Sequence, residues 1–339
     1  MEQKEPINNT LTAACTFVIA AIAVAAALAY TRAIMIPFVV ALFLSYFIAP
    51  IVLFFKSKLR FPHWLAVISA FLGVAIFVTI FVLVLRNSII EIIDSFYLYE
   101  EKIQRLSENL INYANHFGLP INKHSVMLRL KDLPVFSFVQ SAAGVAAGLL
   151  VDFGLMMIFL IFLVSGHSID KEKTGIALEI DEKVRGYILT KVATSLLTAL
   201  CVWIVLESFH LDLALMLGLL TFFLAFIPTL GSLVATLLPL PIALIQFEGG
   251  WQVLGIIFIP AVIQILIGNI LEPKLLGKGL DLHPITILLS LMFWGLIWGV
   301  GGAFLAVPVT AVLKIVLEKI ALTKGFSEML AGRSPFRQA

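Results

Sequence analysis

Few side chains in this 339-residue chain could do chemistry inside its long apolar stretches. The candidates are Asp152, Gln264, Asn269 and Glu272, together with two interruptions, Phe226-Ile227-Pro228-Thr229-Leu230-Gly231-Ser232 and Gly299-Val300-Gly301-Gly302. Asp152 follows Gly144 and Gly148 at four-residue intervals. Glycines so spaced let a neighbouring helix approach, which turns the carboxylate toward protein rather than lipid. At that depth it would serve as a proton or cation site or a substrate contact; nearer the outer interface it would be a hydrogen-bonded structural group. Asn269 and Glu272 are i, i+3 neighbours on a helix that Pro273 is expected to end. With Lys274 nearby they would gate or bind at the inner mouth, or cap the helix end. Gln264 lies deeper, where an amide without a partner is costly. The two interruptions offer backbone instead, because half-helix ends expose N–H and C=O groups that bind a polar solute without a charged side chain. Thr229, Ser232 and Thr236 add hydroxyls at the first. Trp294 and Trp298, i, i+4 before the second, would stack on a substrate or anchor at the interface.

Catalytic signatures are absent from the sequence. No GxxxxGK[ST] cradles a nucleotide, so any transport is not driven by ATP bound to this chain. Neither HExxH nor CxxC occurs, and the six His have no metal-ligand spacing. Ser165-Gly166-His167 reads as a helix stop, and no strand precedes the glycines at 299–302. The expectation is a protein that is not an enzyme and holds no cofactor and no metal.

Those residues must be positioned by apolar elements. The chain is 61% hydrophobic and 13% charged, against about 25% charged in soluble domains. Charge-free runs cover 11–31, 33–55, 61–85, 133–151, 153–169, 192–206, 213–247, 249–271 and 282–313, many of them at or beyond the ~20 residues a spanning helix needs. A soluble enzyme, a nucleic-acid binder and a disordered chain are excluded together; the lipid bilayer is the first partner. Net charge is +2, and Cys15 and Cys201 sit inside apolar runs as small hydrophobes. The first run reads as a span rather than a cleaved signal, because a second apolar run follows immediately.

Lys56, Lys58 and Arg60 lie between the second and third runs, and Lys171, Lys173, Lys183, Arg185 and Lys191 follow the fourth. Positive residues favour the cytoplasmic side, so both termini are expected there, with 86–136 outside. Runs 213–247 and 282–313 are too long for one span; the first would extend ~52 Å. Each is broken at an interruption and followed by a similar tail, Gly231…Pro239 and Gly301…Pro308, and each follows a normal span. One reading is a pair of re-entrant hairpins in an inverted repeat, the sequence pointer to a transporter's binding site. The other is plain loops joining short tilted spans. In the outer segment, Ile89, Ile92, Phe96, Tyr99, Ile103, Leu106, Leu110, Tyr113 and Phe117 alternate by three and four, a heptad seam suited to a homo-oligomer or to packing on its own chain.

Several blocks carry a family likeness: Gly186-Tyr187, Ile227-Pro228 with Gly231, Gly268-Asn269-Ile270-Leu271-Glu272-Pro273-Lys274-Leu275-Leu276-Gly277-Lys278-Gly279, Leu288-Leu289-Ser290-Leu291, Phe293-Trp294-Gly295, and Gly299, Gly301 with Val307-Pro308-Val309. On these the chain resembles the autoinducer-2 exporter family of bacterial membrane transporters over nearly its whole length. The resemblance implies an inner-membrane protein with an outer helical arm, exporting a furanosyl signal or exchanging sodium or lithium for protons.

The expected architecture is therefore all-α and polytopic: six full spans plus two broken, re-entrant-like helical hairpins in an inverted repeat, with an extracytoplasmic arm. Expected divisions are a three-span unit 1–85, the arm 86–136, a fourth span and connector 137–190, a transport unit 191–320 and a tail 321–339. The path for a small polar solute or a monovalent cation or proton is expected along Asp152, Pro228, Thr229, Gly231, Ser232, Gln264, Asn269, Glu272, Pro273, Gly299, Gly301 and Pro308. A non-transporting scaffold with a partner-binding arm is the reading from another class.

Overall fold

A computed structural model describes residues 5–58, 60–94, 153–164, 175–247, 250–276, 280–320 and 323–333. Asp152 lies outside them, as does the heptad seam beyond Asp94. The described residues form helices and connecting turns: α1 Glu5–Tyr30, α2 Arg32–Lys58, α3 His63–Asp94, α4 Phe153–Val164, α5 Ile176–Ser208, α6 Ala214–Leu224, α7 Leu230–Leu237, α8 Leu240–Phe247 and α9 Trp251–Gln264. A π-helical segment Ile265–Leu271, α10 Glu272–Leu276, α11 Pro284–Lys319 and α12 Lys324–Leu330 complete the order.

Among the described residues, five helical stretches are long and apolar enough to cross a membrane. A sixth is reached if the pair Val18–Tyr30 and Arg32–Ile48, bent by 87° at Thr31, makes one span. The sequence runs 11–31 and 33–55 are thus two helices with a sharp turn between them. Apolar side chains stay on the outside, Leu296 at 88% exposure among them, as suits lipid rather than water around these helices.

The chain divides into two compact units. One comprises Met1–Ala49, Val151–Val184 and Leu280–Ala339; the other comprises Pro50–Leu150 and Arg185–Gly279. In the first, α11 packs on α12 and α1, and Phe38 of α2 meets Phe159 of α4 edge-on at 5.4 Å. The bend at Thr31 leaves the Leu28 carbonyl without its helical partner. The Trp298 indole N–H of α11 donates to it at 3.0 Å. His283 caps α11, its Nδ1 accepting from the Ile285 N–H at 3.3 Å, with Pro284 at the first helical position.

α11 is two arms rather than one rod. Gly299 (φ 65°, ψ −142°) leaves helical geometry inside it. The Trp294 Nε1 donates to Thr310 Oγ1 at 3.0 Å, although those residues would stand ~24 Å apart along an unbroken helix. The chain therefore doubles back at Gly299, and only there; Val300, Gly301 and Gly302 are helical.

The second unit is centred on Val202, Leu206, Leu211, Ala214, Leu217, Ala243, Val253 and Ile256. These come from α5, α6, α8, α9 and the 209–213 connection. α6 packs on α3 and α7, and α9 on α7 and α8. The first interruption reverses the chain between α6 and α7. Thr229 takes φ 58°, ψ −55°, and the Leu230 N–H donates to the Pro228 carbonyl at 2.6 Å. That is a γ-turn, a strained conformation for a β-branched residue. Gly231 follows because a Cβ there would collide with the Leu224 carbonyl oxygen.

Candidate functional site

Among the described residues, most of the buried polar side chains of the second unit lie on one face of α5. Tyr187, Lys191, Thr194, Ser195 and Thr198 recur at spacings of three and four, and each is at most 7% exposed. The threonines satisfy their hydroxyls locally: Thr194 Oγ1 donates to the Thr190 carbonyl at 3.0 Å, Thr198 Oγ1 to the Thr194 carbonyl at 2.8 Å. Their remaining lone pairs stay available on that face. The Ser195 hydroxyl has no partner among the described residues.

Against this stripe stands Glu272. Lys191 Nζ donates to both of its carboxylate oxygens, at 2.7 and 2.9 Å, with Thr194 Oγ1 3.4 Å from the second. Lys191 and Glu272 side chains are 7% and 18% exposed. Removing two such charges from water costs several kcal/mol per ion, so an ion pair here is a poor device for stability alone.

The backbone explains how Glu272 is aimed. Pro273 lacks an N–H and its ring crowds the carbonyl four residues back, which would ordinarily stop or kink the helix. Instead the ladder widens over Ile265–Leu271 into π-helical geometry, and the Glu272 N–H donates to the Ile267 carbonyl, five residues back. The expected helix stop at Pro273 is thus corrected: α10 carries the helix on through Leu276, because the wide turn absorbs the proline. Glu272's partner is Lys191, 81 residues away in sequence. Asn269 lies in the wide segment and, like Pro273, is exposed.

Gln264, the last residue of α9, is buried and finds its partner on the other side of the first interruption. Its Nε2 donates to Thr236 Oγ1 at 2.8 Å. Thr236 in turn donates to the Ser232 carbonyl at 2.9 Å, and Ser232 Oγ to the Thr229 carbonyl at 2.9 Å. A continuous set of hydrogen bonds therefore runs from the γ-turn through Ser232 and Thr236 to the end of α9, from which the π-helical segment leads to Glu272.

The structure brings Pro228, Thr229, Gly231, Ser232, Gln264, Asn269, Glu272 and Pro273 into the second unit. Gly299, Gly301 and Pro308 lie in the first, where Pro308 is buried and Gly301 faces Ile36. Trp294 and Trp298 do not present open faces for stacking: both are buried and tie the α11 arms to Thr310 and to α1. Sequence reasoning missed Lys191, counting it as a cytoplasmic flank, and did not single out Lys314. Lys314 is buried and pairs with Asp281 at 2.7 Å, which Arg333 also reaches at 3.0 Å. The signal for Lys191 was the polar stripe itself, continuing at helical spacing into the charge-free run 192–206. Among the described residues, no group of three or more His, Cys, Asp or Glu is arranged to hold a metal ion.

A family model described as AI-2E family transporter matches residues 16–322. A Haemophilus influenzae protein provisionally named a transport protein is 27% identical over 322 residues, 90% of this chain and 92% of its own. The AI-2 transport protein TqsA of Escherichia coli K12 is 36% identical over 150 residues, 44% of this chain and 43% of its own. PerM of the same strain, provisionally named a permease, is 28% identical over 208 residues, 58% of this chain and 59% of its own.

Proposed function

Because the chain belongs to the AI-2E transporter family and is a multi-pass helical membrane protein, we propose that it is a secondary transporter moving a small polar solute along the α5 face that holds Glu272. The solute is an autoinducer-2-like furanosyl signal, and its movement is outward across a bacterial inner membrane, both termini being cytoplasmic. The partial likeness to TqsA supports that substrate. The observation that carries the transport reading is the buried Lys191–Glu272 pair inside apolar helices. Ionisable groups buried within membrane-spanning helices mark substrate or ion pathways. The carboxylate has lone pairs beyond those the ammonium uses, so a solute's hydroxyls can donate to it while the pair stays intact. The two chain reversals, each with a positive-φ residue followed by a close-packed glycine, support reading 213–247 and 282–313 as the related hairpins of an inverted repeat within a transport unit 191–320. The heptad seam from Ile89 to Phe117 would join subunits.

A cation/proton exchanger of the same family is the second reading, favoured by one observation: the group facing the polar stripe is a carboxylate already neutralised by a cation. Radiolabelled flux in inverted vesicles, sodium against the furanosyl signal, separates the two. Glu272→Gln should abolish either flux, and leaves Lys191 buried without its counter-ion, at a stability cost of about 3–5 kcal/mol. The double variant Lys191→Met/Glu272→Met should recover that stability while remaining without transport. Wild-type flux in the double variant would sink the reading.

A further inference from the structure

Lys56, Lys58 and Arg60 lie where α2 ends and the chain turns into α3, and no Asp or Glu occurs anywhere from residue 6 to residue 90. All three are exposed. Lys183, Lys191, Lys314, Lys319 and Arg333 each meet a carboxylate. Lys56, Lys58 and Arg60 pair with none among the described residues. Folding keeps the acids of the second unit away from them. Glu207 and Asp212 share a crevice with Asn87 and Ser88, ~38 Å along α3 from its first turn. Glu91 and Asp94 lie further along the same helix, and Glu272 is already held by Lys191. Among the described residues of this unit, the turn is a patch of uncompensated positive charge.

The patch is built rather than loose. Phe55 and Phe61 stack at 6.0 Å with their planes 7° apart, and the Phe61 N–H donates to the Phe55 carbonyl at 3.3 Å. Arg60 is held at φ 54°, a left-handed conformation that is strained for such a residue. The Lys58 ammonium lies 5.6 Å from the centre of the Phe54 ring, a cation–π contact. Phe54 and Trp64 are 52% and 64% exposed. Charge-free sequence ends at Phe55 and resumes at Phe61, so the cations stand at the boundary of the hydrocarbon layer with aromatic rings at headgroup level.

We propose that this turn binds an anionic phospholipid, its headgroup phosphate held by Lys56, Lys58 and Arg60 and its upper acyl chain lying against Phe54 and Trp64. Charge complementarity selects the ligand. A phosphodiester accepts from ammonium groups, and the planar guanidinium fork matches two of its oxygens. A zwitterionic headgroup brings its own cation to a place that already holds three. A soluble acidic partner would meet the charges but leave the aromatic flank unused. The general bias of positive residues toward one side orients a pair of helices without fixing the turn between them. Here the ring stack and the left-handed Arg60 fix it. The assignment rests on this turn and not on the transport reading.

The test is native mass spectrometry of the full chain in detergent, titrated with dioleoylphosphatidylglycerol, with dioleoylphosphatidylcholine and inorganic phosphate as comparison probes. Wild-type protein should bind the anionic lipid saturably and about tenfold more tightly than the zwitterionic one. That preference should shrink as ionic strength rises. Lys56→Gln, Lys58→Gln and Arg60→Gln should each weaken anionic-lipid binding about fivefold, and the triple variant about a hundredfold. Lys56→Arg/Lys58→Arg keeps the charge and should bind as wild type does. Phe61→Leu leaves every charge in place but removes the ring stack, and should weaken binding about threefold by loosening the turn. Equal wild-type affinity for the two lipids would overturn the assignment, and that comparison needs no variant to fold. Wild-type affinity in the triple variant or in Phe61→Leu would overturn it too, as would displacement of the lipid by inorganic phosphate at equal concentration. Intact flux without anionic-lipid binding removes this site alone, and failed flux with lipid binding intact removes the transport reading alone.

Discussion

At the first chain reversal the positive-φ residue is Thr229 and the glycine at the crossing is Gly231; at the second they are Gly299 and Gly302. Both glycines sit where a Cβ would strike a carbonyl oxygen of the preceding arm, Leu224 in one case and Trp294 in the other. The turns differ in who carries the unfavourable φ: a residue free of penalty at 299, a β-branched one at 229. They differ also in what ties them. Thr310 accepts from Trp294 of its own hairpin and the Leu28 carbonyl of α1 accepts from Trp298, so the second reversal is tied both to itself and to the first helix. Thr236 accepts from Gln264 of a neighbouring helix, so the first is fastened to the segment that aims Glu272. The strained hairpin is the one joined to the segment that aims Glu272; the relaxed one is tied to itself and to α1.

The largest expected effect tests what the two share. Gly231→Ala and Gly302→Ala should each destabilise by about 3 kcal/mol or more, since backbone rather than a flexible side chain must move. Thermal melts of purified protein read this, and a mild effect at either glycine would break the equivalence. The next tests what separates them. Gly299→Ala should destabilise by about 1–3 kcal/mol, whereas Thr229→Gly should stabilise by about 1 kcal/mol by relieving strain. Loss of flux in the more stable Thr229→Gly protein would tie that strain to function. The smallest effect on stability is the sharpest on role. Gln264→Leu and Trp294→Phe each remove one hydrogen-bond donor, worth about 1 kcal/mol in either place. Flux should fall in Gln264→Leu and persist in Trp294→Phe; equal losses would erase the distinction between the hairpins.

Much of this architecture was legible in the residue pattern. Charge-free runs mark the apolar helices, and the interruptions at 226–232 and at Gly299 fall where the chain reverses. Glu272 and Gln264 were legible as candidates because polar groups in apolar helices need partners. Their partners were not. Lys191 borders a charge-free run and looks like an interfacial flank, and nothing local reveals that folding carries it to a carboxylate 81 residues on. Pro273 misleads for the opposite reason: its local rule is a helix stop, and the wide turn before it sets the rule aside. His283, opaque in sequence, is a helix cap. The sharp bend at Thr31 was invisible, since two adjacent apolar runs carry no mark of the angle between them.

The π-helical segment before Glu272 holds one residue more than the α-helical length it fills. It acts as a phase setting for everything beyond it. Closing the same residues into ordinary α-helix, with none removed, would turn Glu272 by about 100° about the axis. The carboxylate would then face away from Lys191, although neither charged residue had been touched. The pairing of these two groups is thus written partly as a count of residues, and a frame of one separates a partnered carboxylate from a misdirected one.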